Sequence, residues 1–86
     1  MIKQQVEDCV KKIISRLFEI DLNEITPLSS PETIQSWDSI GQMNLIVSLE
    51  EEFNVTFSDS QVLEMRSFQL VCMTVCDALD LTFQDA

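Results

Sequence analysis

The 86-residue chain contains no histidine, one glycine and two prolines. Without histidine, neither a Ser–His nor a Cys–His catalytic pair can form, and the commonest protein metal ligand is missing. The scarcity of glycine and proline argues against a β-rich fold, because such folds need many tight turns. The chain also lacks an apolar run of roughly 18 residues, which argues against a membrane-spanning helix. These absences favour a helical protein without histidine-based chemistry.

Basic residues are also scarce: 5 lysines and arginines stand against 15 aspartates and glutamates, for a formal net charge of −10. Four of the five bases lie in the first sixteen residues, and Arg66 is the only one after them. The chain from residue 17 onward therefore carries a formal charge of −12. This balance argues against nucleic acid and anionic membrane surfaces as partners, because both attract basic proteins. We expect partners with basic surfaces instead.

Three cysteines are present, at Cys9, Cys72 and Cys76, and none belongs to a Cys-x-x-Cys pair. Cys72 and Cys76 stand four residues apart on a predicted helix, where their Cβ atoms are ~5–6 Å apart and too distant for a relaxed disulfide. The sequence therefore predicts reduced thiols in or beside the core of a cytoplasmic protein.

The length of the chain predicts one domain over residues 1–86, with its core at about 3–80. Apolar spacing indicates helices over about 2–19, 39–53, 59–65 and 68–80. Ser58 with Gln61 and Ser67 are the predicted caps of the last two helices. The predicted core stripe of the last helix consists of Phe68, Val71, Cys72, Val75 and Leu79. Residues 82–86 are expected to fray. Three longer helices, one short third helix and a long first connection predict an all-α four-helix bundle.

The first connection, at about 21–38, is long for so small a domain, and long ordered loops tend to be functional. Its apolar residues Ile25, Leu28 and Ile34 are expected to anchor it to the core.

Within this loop, residues 21–32 have the length of a calcium-binding EF-hand loop, with Asp21 first and Glu32 last. The sixth position of such a loop should be glycine and is Thr26, and the fifth should supply an oxygen and is Ile25. A connecting loop is therefore expected here, and no metal site.

The predicted second helix carries two apolar groups on nearly opposite sides. At ~100° per residue, one group forms the expected core face: Leu45, Ile46, Leu49 and Phe53. The other group consists of Ile40, Met43 and Val47, flanked by Glu50 and Glu51. Because a bundle helix needs only one apolar face, the second group lies either under the long loop or on a docking surface. The acidic flanks favour the docking surface.

Ser39 stands at the start of this helix, and Gln42 follows three residues later. This capping-box spacing predicts that Ser39 is the helix N-cap. Alternatively, its hydroxyl carries a phosphate ester, since helix N-terminal N–H groups and the helix dipole stabilise an anion. Ser39 is not a plausible catalytic nucleophile, because no base stands ready to activate it.

The motif Asp38-Ser39-Ile40 is followed at 45–53 by Leu-Ile-Val-Ser-Leu-Glu-Glu-Glu-Phe. Together these residues resemble the modification site and second helix of acyl carrier proteins, whose motif is Asp-Ser-Leu. Segments 18–25 and 53–59 are similar to the family's entry into its first loop and its exit from the second helix. The resemblance extends over about residues 3–80 without a gap.

The resemblance implies a monomeric four-helix carrier that is not itself an enzyme. It also implies that 4′-phosphopantetheine, transferred from coenzyme A by a phosphopantetheinyl transferase, is esterified to Ser39 and carries acyl groups as thioesters. Partners would be basic surfaces of acyl-transferring, condensing or ligase enzymes. By position, the resemblance assigns partner contacts to six residues: Asp38, Ile40, Met43, Val47, Glu50 and Glu51.

Departures from the family pattern bear on the pathway. Primary fatty-acid carriers usually place acids directly after the serine, where this chain has Gly41, Gln42 and Asn44. Trp37 before the motif is more similar to carriers of polyketide or surface-polysaccharide pathways, and it is expected to pack the loop onto the bundle. A specialised acyl carrier therefore ranks first, a fatty-acid carrier second and a D-alanyl or other aminoacyl carrier third. A non-carrier acidic helical interaction module is the alternative from another class.

Overall fold

Four α-helices arranged in sequence make up most of residues 3–79, the part of the chain that this computed structural model describes. Their bounds are Lys3–Phe18 (α1), Ser39–Phe53 (α2), Asp59–Glu64 (α3) and Phe68–Ala78 (α4). A short 3-10 helix, Leu22–Glu24, lies in the first connection, and residues 3–79 contain no strand. The all-α four-helix prediction is confirmed, while the predicted frayed tail at 82–86 lies outside the described residues.

The helix starts follow from capping side chains. Ser58 caps α3 in a complete capping box with Gln61, and Ser67 caps α4 by accepting a hydrogen bond from the Leu70 amide at 3.2 Å. Both caps are confirmed predictions. At the other end of α2, Asn54 adopts a left-handed conformation (φ 55°) that closes the helix. Asparagine tolerates this conformation better than most residues, so the chain turns there without glycine.

The core lies where α1 packs against both α2 and α4. Helix α1 contributes five buried side chains to this core: Val6, Val10, Ile13, Ile14 and Phe18. Helix α4 buries all but one member of its predicted stripe, and Leu79 is half-buried at the helix end. These apolar contacts place the N-terminal end of α2 beside the C-terminal end of α1.

The long first loop is attached partly by its backbone. Ile25 and Ile34 are buried as predicted, but Leu28 is 79% exposed, so its predicted anchoring role is wrong. The carbonyls on either side of it, those of Pro27 and Ser29, accept hydrogen bonds from the first amides of α4 at 3.1 and 2.7 Å. These bonds satisfy amides that a helix N-terminus leaves unpaired, and the loop is held there while the Leu28 side chain points to solvent.

None of the three cysteines forms a disulfide within the described residues; Cys72 and Cys76 are buried, and Cys9 lies at the edge of the core. Burial raises the pKa of the Cys72 thiol to about 12. The pKa of the Cys9 thiol is also raised, mainly by burial and to a lesser extent by the negative charge of Glu52. Since the thiolate is the reactive form, neither cysteine is activated near neutral pH. The prediction that the cysteines lie in or beside the core without forming a disulfide is confirmed.

The sequence predicted neither a membrane-spanning helix nor a metal site. None of the helices in residues 3–79 has the length and apolar character needed to cross a bilayer. Over the same residues, no group of Cys, Asp and Glu side chains is arranged to hold a metal ion. Ile25, at the fifth position of the EF-hand-like segment, packs into the core, as a connecting loop requires.

Candidate functional site at the start of α2

Asp38 caps α2, and Ser39 is the first residue inside the helix. The Asp38 carboxylate accepts a hydrogen bond from the Gly41 amide at 2.8 Å, and its backbone carbonyl accepts one from the Gln42 amide at 2.8 Å. The prediction that Ser39 is the N-cap is therefore wrong. Aspartate is as good a cap as serine, and the extended backbone at Asp38 (φ −96°, ψ −164°) places the cap one residue earlier.

The Ser39 side chain is consequently available for other chemistry. It is exposed, and its hydroxyl makes no hydrogen bond with any residue that the structure describes. It stands in the first turn of a 15-residue helix, where backbone amides lack intrahelical partners and the dipole favours negative charge. These properties fit a serine that carries a phosphate ester.

Gln42, the other half of the expected capping box, has a different structural role. Its side-chain oxygen accepts a hydrogen bond from the indole N–H of Trp37, and its side-chain nitrogen lies 3.5 Å from the Met65 carbonyl. Trp37 is only 1% exposed and stacks on Phe18 with ring centroids 5.6 Å apart. The prediction that Trp37 packs the loop onto the bundle is confirmed, and its hydrogen bond holds the first turn of α2 in place.

Gly41 permits a close approach that the sequence alone did not indicate. A Cβ atom at this position would collide with the Ser36 carbonyl oxygen and would lie 3.0 Å from a ring carbon of Phe18. The first turn of α2 therefore lies with its backbone directly against the loop and the end of α1. Since the nearest obstacle is a backbone oxygen, a side chain at Gly41 cannot be accommodated by a rotamer change.

Replacing Gly41 with alanine should destabilise the protein by roughly 1–2 kcal/mol and slow any modification of Ser39. Alanine improves helix propensity by ~1 kcal/mol, but overpacking costs ~1–3 kcal/mol, and the collision with the Ser36 backbone oxygen puts this substitution in the upper part of that range. Urea unfolding followed by Trp37 fluorescence measures the change. Asn44→Ala, at an exposed position one turn later, is the matched control and should leave stability nearly unchanged. A Gly41→Ala protein as stable as the wild type would contradict the close packing.

The second apolar group of α2 faces solvent. Ile40, Met43 and Val47 are 72%, 69% and 53% exposed, so the loop does not cover them. Leu63 on α3 is also exposed, and we did not identify it from the sequence. Only its apolar character inside a short polar helix could have indicated it. Of the two possible positions for the second group, the structure supports an uncovered surface.

The acidic residues beside this surface are not equivalent. Glu51 is exposed, whereas the half-buried Glu50 accepts a hydrogen bond from the Phe57 amide at 2.9 Å. Glu50 therefore holds the α2–α3 connection, and Asp38 holds the first turn of α2. Among the acids carried over as partner contacts, Glu51 alone has no hydrogen-bond role within the described residues.

Ser39 is one of the residues that line an open groove of about 780 Å³, which lies between the end of the long loop, the first turns of α2, and α3. Its lining includes Trp37, Met43, Val62, Leu63, Met65 and Arg66. The groove is open and mainly apolar with polar groups among its lining residues, which suits a flexible chain that combines methylene and amide groups. Because Ser39 is part of the lining, a chain attached to it could enter the groove.

Comparisons with known proteins agree with this geometry. A family model described as "Phosphopantetheine attachment site" matches residues 8–75. An acyl carrier protein of Buchnera aphidicola is 34% identical over 74% of this chain and 81% of its own length. Another, from Cyanidioschyzon merolae, is 29% identical over 80% of this chain and 76% of its own length. A solution structure of a holo acyl carrier protein from Geobacter metallireducens superimposes with a TM-score of 0.78, at 28% identity, and covers 87% of this chain and 86% of that one.

Proposed function

Because the chain belongs to the acyl carrier protein family, we propose that Ser39 is the residue that bears its phosphopantetheine arm. The protein is a carrier rather than an enzyme, and its cofactor is covalently attached 4′-phosphopantetheine. The observation that supports Ser39 as the attachment site is that Asp38 and Ser39 have different roles at the start of α2. Asp38 provides the cap, which leaves the exposed hydroxyl of Ser39 free to form an ester.

The attachment chemistry requires little of this chain beyond an accessible hydroxyl. The Ser39 oxygen forms a bond to the phosphorus next to pantetheine in coenzyme A, the pyrophosphate bond breaks, and adenosine bisphosphate leaves. The hydroxyl proton passes to the transferase or to solvent, since no base of this chain contacts the Ser39 oxygen within the described residues. When bound, the arm supplies a terminal thiol, and its tether raises the effective concentration of the cargo at partner active sites.

Intact-mass analysis tests the attachment site. Apo protein incubated with coenzyme A and a broad-specificity phosphopantetheinyl transferase should gain one phosphopantetheine per chain, and peptide mapping should place it on Ser39. Modification at another serine, or no gain in mass, would refute the assignment.

We further propose that the exposed side chains of Ile40, Met43, Val47 and Glu51 contact partner enzymes, including the transferase. Three uncovered apolar side chains beside the attachment serine give such partners an apolar contact area. Glu51 at its border attracts basic surfaces. The family resemblance also assigns Asp38 and Glu50 to this face. We propose that they support partner binding indirectly, because Asp38 stabilises the first turn of α2 and Glu50 stabilises the α2–α3 connection.

Changing Glu51 to lysine should slow acyl transfer to a basic partner enzyme by roughly threefold or more at low salt, because rim charges steer association. The difference should shrink toward 0.5 M salt, where screening shortens the range of electrostatic attraction. Glu24→Lys, at an exposed acid of the 3-10 helix, makes the same change in net charge and is the matched control. Equal slowing of both variants would indicate a net-charge effect and contradict the proposed face.

For the pathway, we propose specialised acyl transfer, such as polyketide or surface-polysaccharide biosynthesis, ahead of fatty-acid synthesis and of an aminoacyl carrier. Asn44 supports this order, because it is an exposed neutral residue next to the docking surface. Gly41 and Gln42 contribute less, since packing accounts for both. We place the carrier in the cytoplasm, because its three cysteines form no disulfide. The mass of the acyl group released by hydroxylamine from protein purified from its native source tests the pathway assignment.

A further inference from the structure

Among residues 3–79, Arg66 is the only basic residue that lines the groove beside Ser39. It lies two residues after the end of α3, and it is the only base in the sequence after Arg16. The same groove is bordered by the carboxylates of Glu32 and Asp38. A single guanidinium therefore supplies the positive charge on a surface whose other described residues are acidic, neutral polar or apolar.

The guanidinium of Arg66 is held but not neutralised. Its Nε donates a hydrogen bond to the Leu63 carbonyl at 3.3 Å, which directs the side chain back along the end of α3. Within residues 3–79, Arg66 makes no ion pair with a carboxylate, although the chain is rich in acids. The hydrogen bonds of these residues leave its two terminal nitrogens available as donors.

Arg66 is also linked structurally to the turn that carries Ser39. Gln42 stands one turn after Ser39 on the same side of α2, and its side-chain nitrogen reaches the Met65 carbonyl at 3.5 Å. Met65 is buried, so the backbone immediately before Arg66 has a defined position against α2. The start of α2 and the guanidinium thus border one groove and are connected through a single contact.

We propose that Arg66 binds the phosphodiester of the phosphopantetheine arm and thereby orients the arm along the groove. This inference rests on the proposed attachment at Ser39. A phosphodiester at that position adds a negative charge next to Asp38 and Glu32, which is unfavourable on a chain that already carries −10. A guanidinium offsets that repulsion and forms charge-assisted hydrogen bonds to phosphate oxygens. Arg66 is a positioning residue: it takes no part in forming or breaking the thioester.

The test compares holo proteins by ³¹P NMR, after intact mass has verified complete modification. The wild-type ³¹P resonance should differ in chemical shift and line width from that of the same holo protein unfolded in urea. In Arg66→Gln, both should move toward the unfolded reference. Arg66→Lys should retain part of the difference between the folded and unfolded resonances, since lysine keeps the positive charge but lacks the planar guanidinium. Arg16→Gln, which removes an exposed arginine in the last turn of α1, outside the groove, should behave as the wild type.

Measuring the same ³¹P spectra at different salt concentrations tests the proposal independently. The wild-type difference should diminish between about 0.05 and 1 M salt, over which the Debye length falls to ~3 Å. Identical ³¹P spectra for fully modified wild type and Arg66→Gln would overturn the role of Arg66 and leave the attachment site intact. A wild type that cannot be modified would instead overturn the attachment site. Thermal unfolding by circular dichroism establishes that each variant is folded.

Discussion

The Ser39→Ala protein should gain no mass when it is incubated with coenzyme A and a phosphopantetheinyl transferase, whereas the wild type is converted completely. The expected effect is a full loss, because removing the hydroxyl removes the atom that forms the ester. The structure indicates that this substitution is otherwise mild. Ser39 is exposed, Asp38 rather than Ser39 caps α2, and the Ser39 hydroxyl has no partner in residues 3–79.

Ser60→Ala is the matched control for this prediction. Ser60 is also exposed and also lies near the start of a helix, but it is neither a cap nor part of the groove. It should be modified at the wild-type rate. Because alanine at position 39 leaves the cap in place, urea unfolding should place Ser39→Ala within ~0.5 kcal/mol of the wild type. An equal mass gain in Ser39→Ala and wild type would reject the attachment site, and a large loss of stability would contradict the assignment of the cap to Asp38.

The Trp37→Ala protein should be less stable than the wild type by roughly 3–5 kcal/mol, a large part of the stability of a small domain. Trp37 is among the largest fully buried side chains of the described residues. Its loss would leave a cavity beside Phe18 and would remove the hydrogen bond to Gln42. The first turn of α2 would lose a contact that positions it, so modification of Ser39 should also slow.

Urea unfolding followed by circular dichroism measures this effect, since the substitution removes the only tryptophan. Trp37→Phe separates the two contributions: it keeps an aromatic ring against Phe18 and loses the N–H donor, and it should cost about 1–3 kcal/mol because the oxygen of Gln42 is left without its partner. Met43→Ala, which truncates an exposed side chain on α2, should cost little. A loss below 1 kcal/mol for Trp37→Ala would contradict the structural role given to the indole.

The sequence predicted the helices well because their signals are local. The spacing of Val6, Val10 and Ile13 marks α1, and the serines at 58 and 67 mark the starts of α3 and α4. Each signal depends on residues within one or two turns, where backbone geometry fixes which side chains are neighbours. The attachment motif was predicted on other grounds, because Asp38-Ser39-Ile40 and the segments on either side of it resemble those of acyl carrier proteins.

The choice between caps could not be made from spacing alone. Asp38 and Ser39 are both good capping residues, and Gln42 matched the second of them. Its actual partners are the Trp37 indole and the Met65 carbonyl, the second of which is 23 residues away. Leu28 was misplaced for a similar reason, because the bonds that hold its segment come from the backbone of α4. Side-chain hydrophobicity does not report such bonds.

By itself, the sequence determined that this is a small, acidic, four-helix protein with an attachment motif at the start of its second helix. Size, acidity and helix number follow from composition and from periodicity along single helices, whereas the attachment motif follows from the resemblance to acyl carrier proteins. Only the tertiary structure decided that Ser39 has a free hydroxyl, that Ile40, Met43 and Val47 stay uncovered, and that Arg66 faces the same groove. These depend on where the long loop and α3 come to lie against α2, and contacts between segments distant in sequence set those positions.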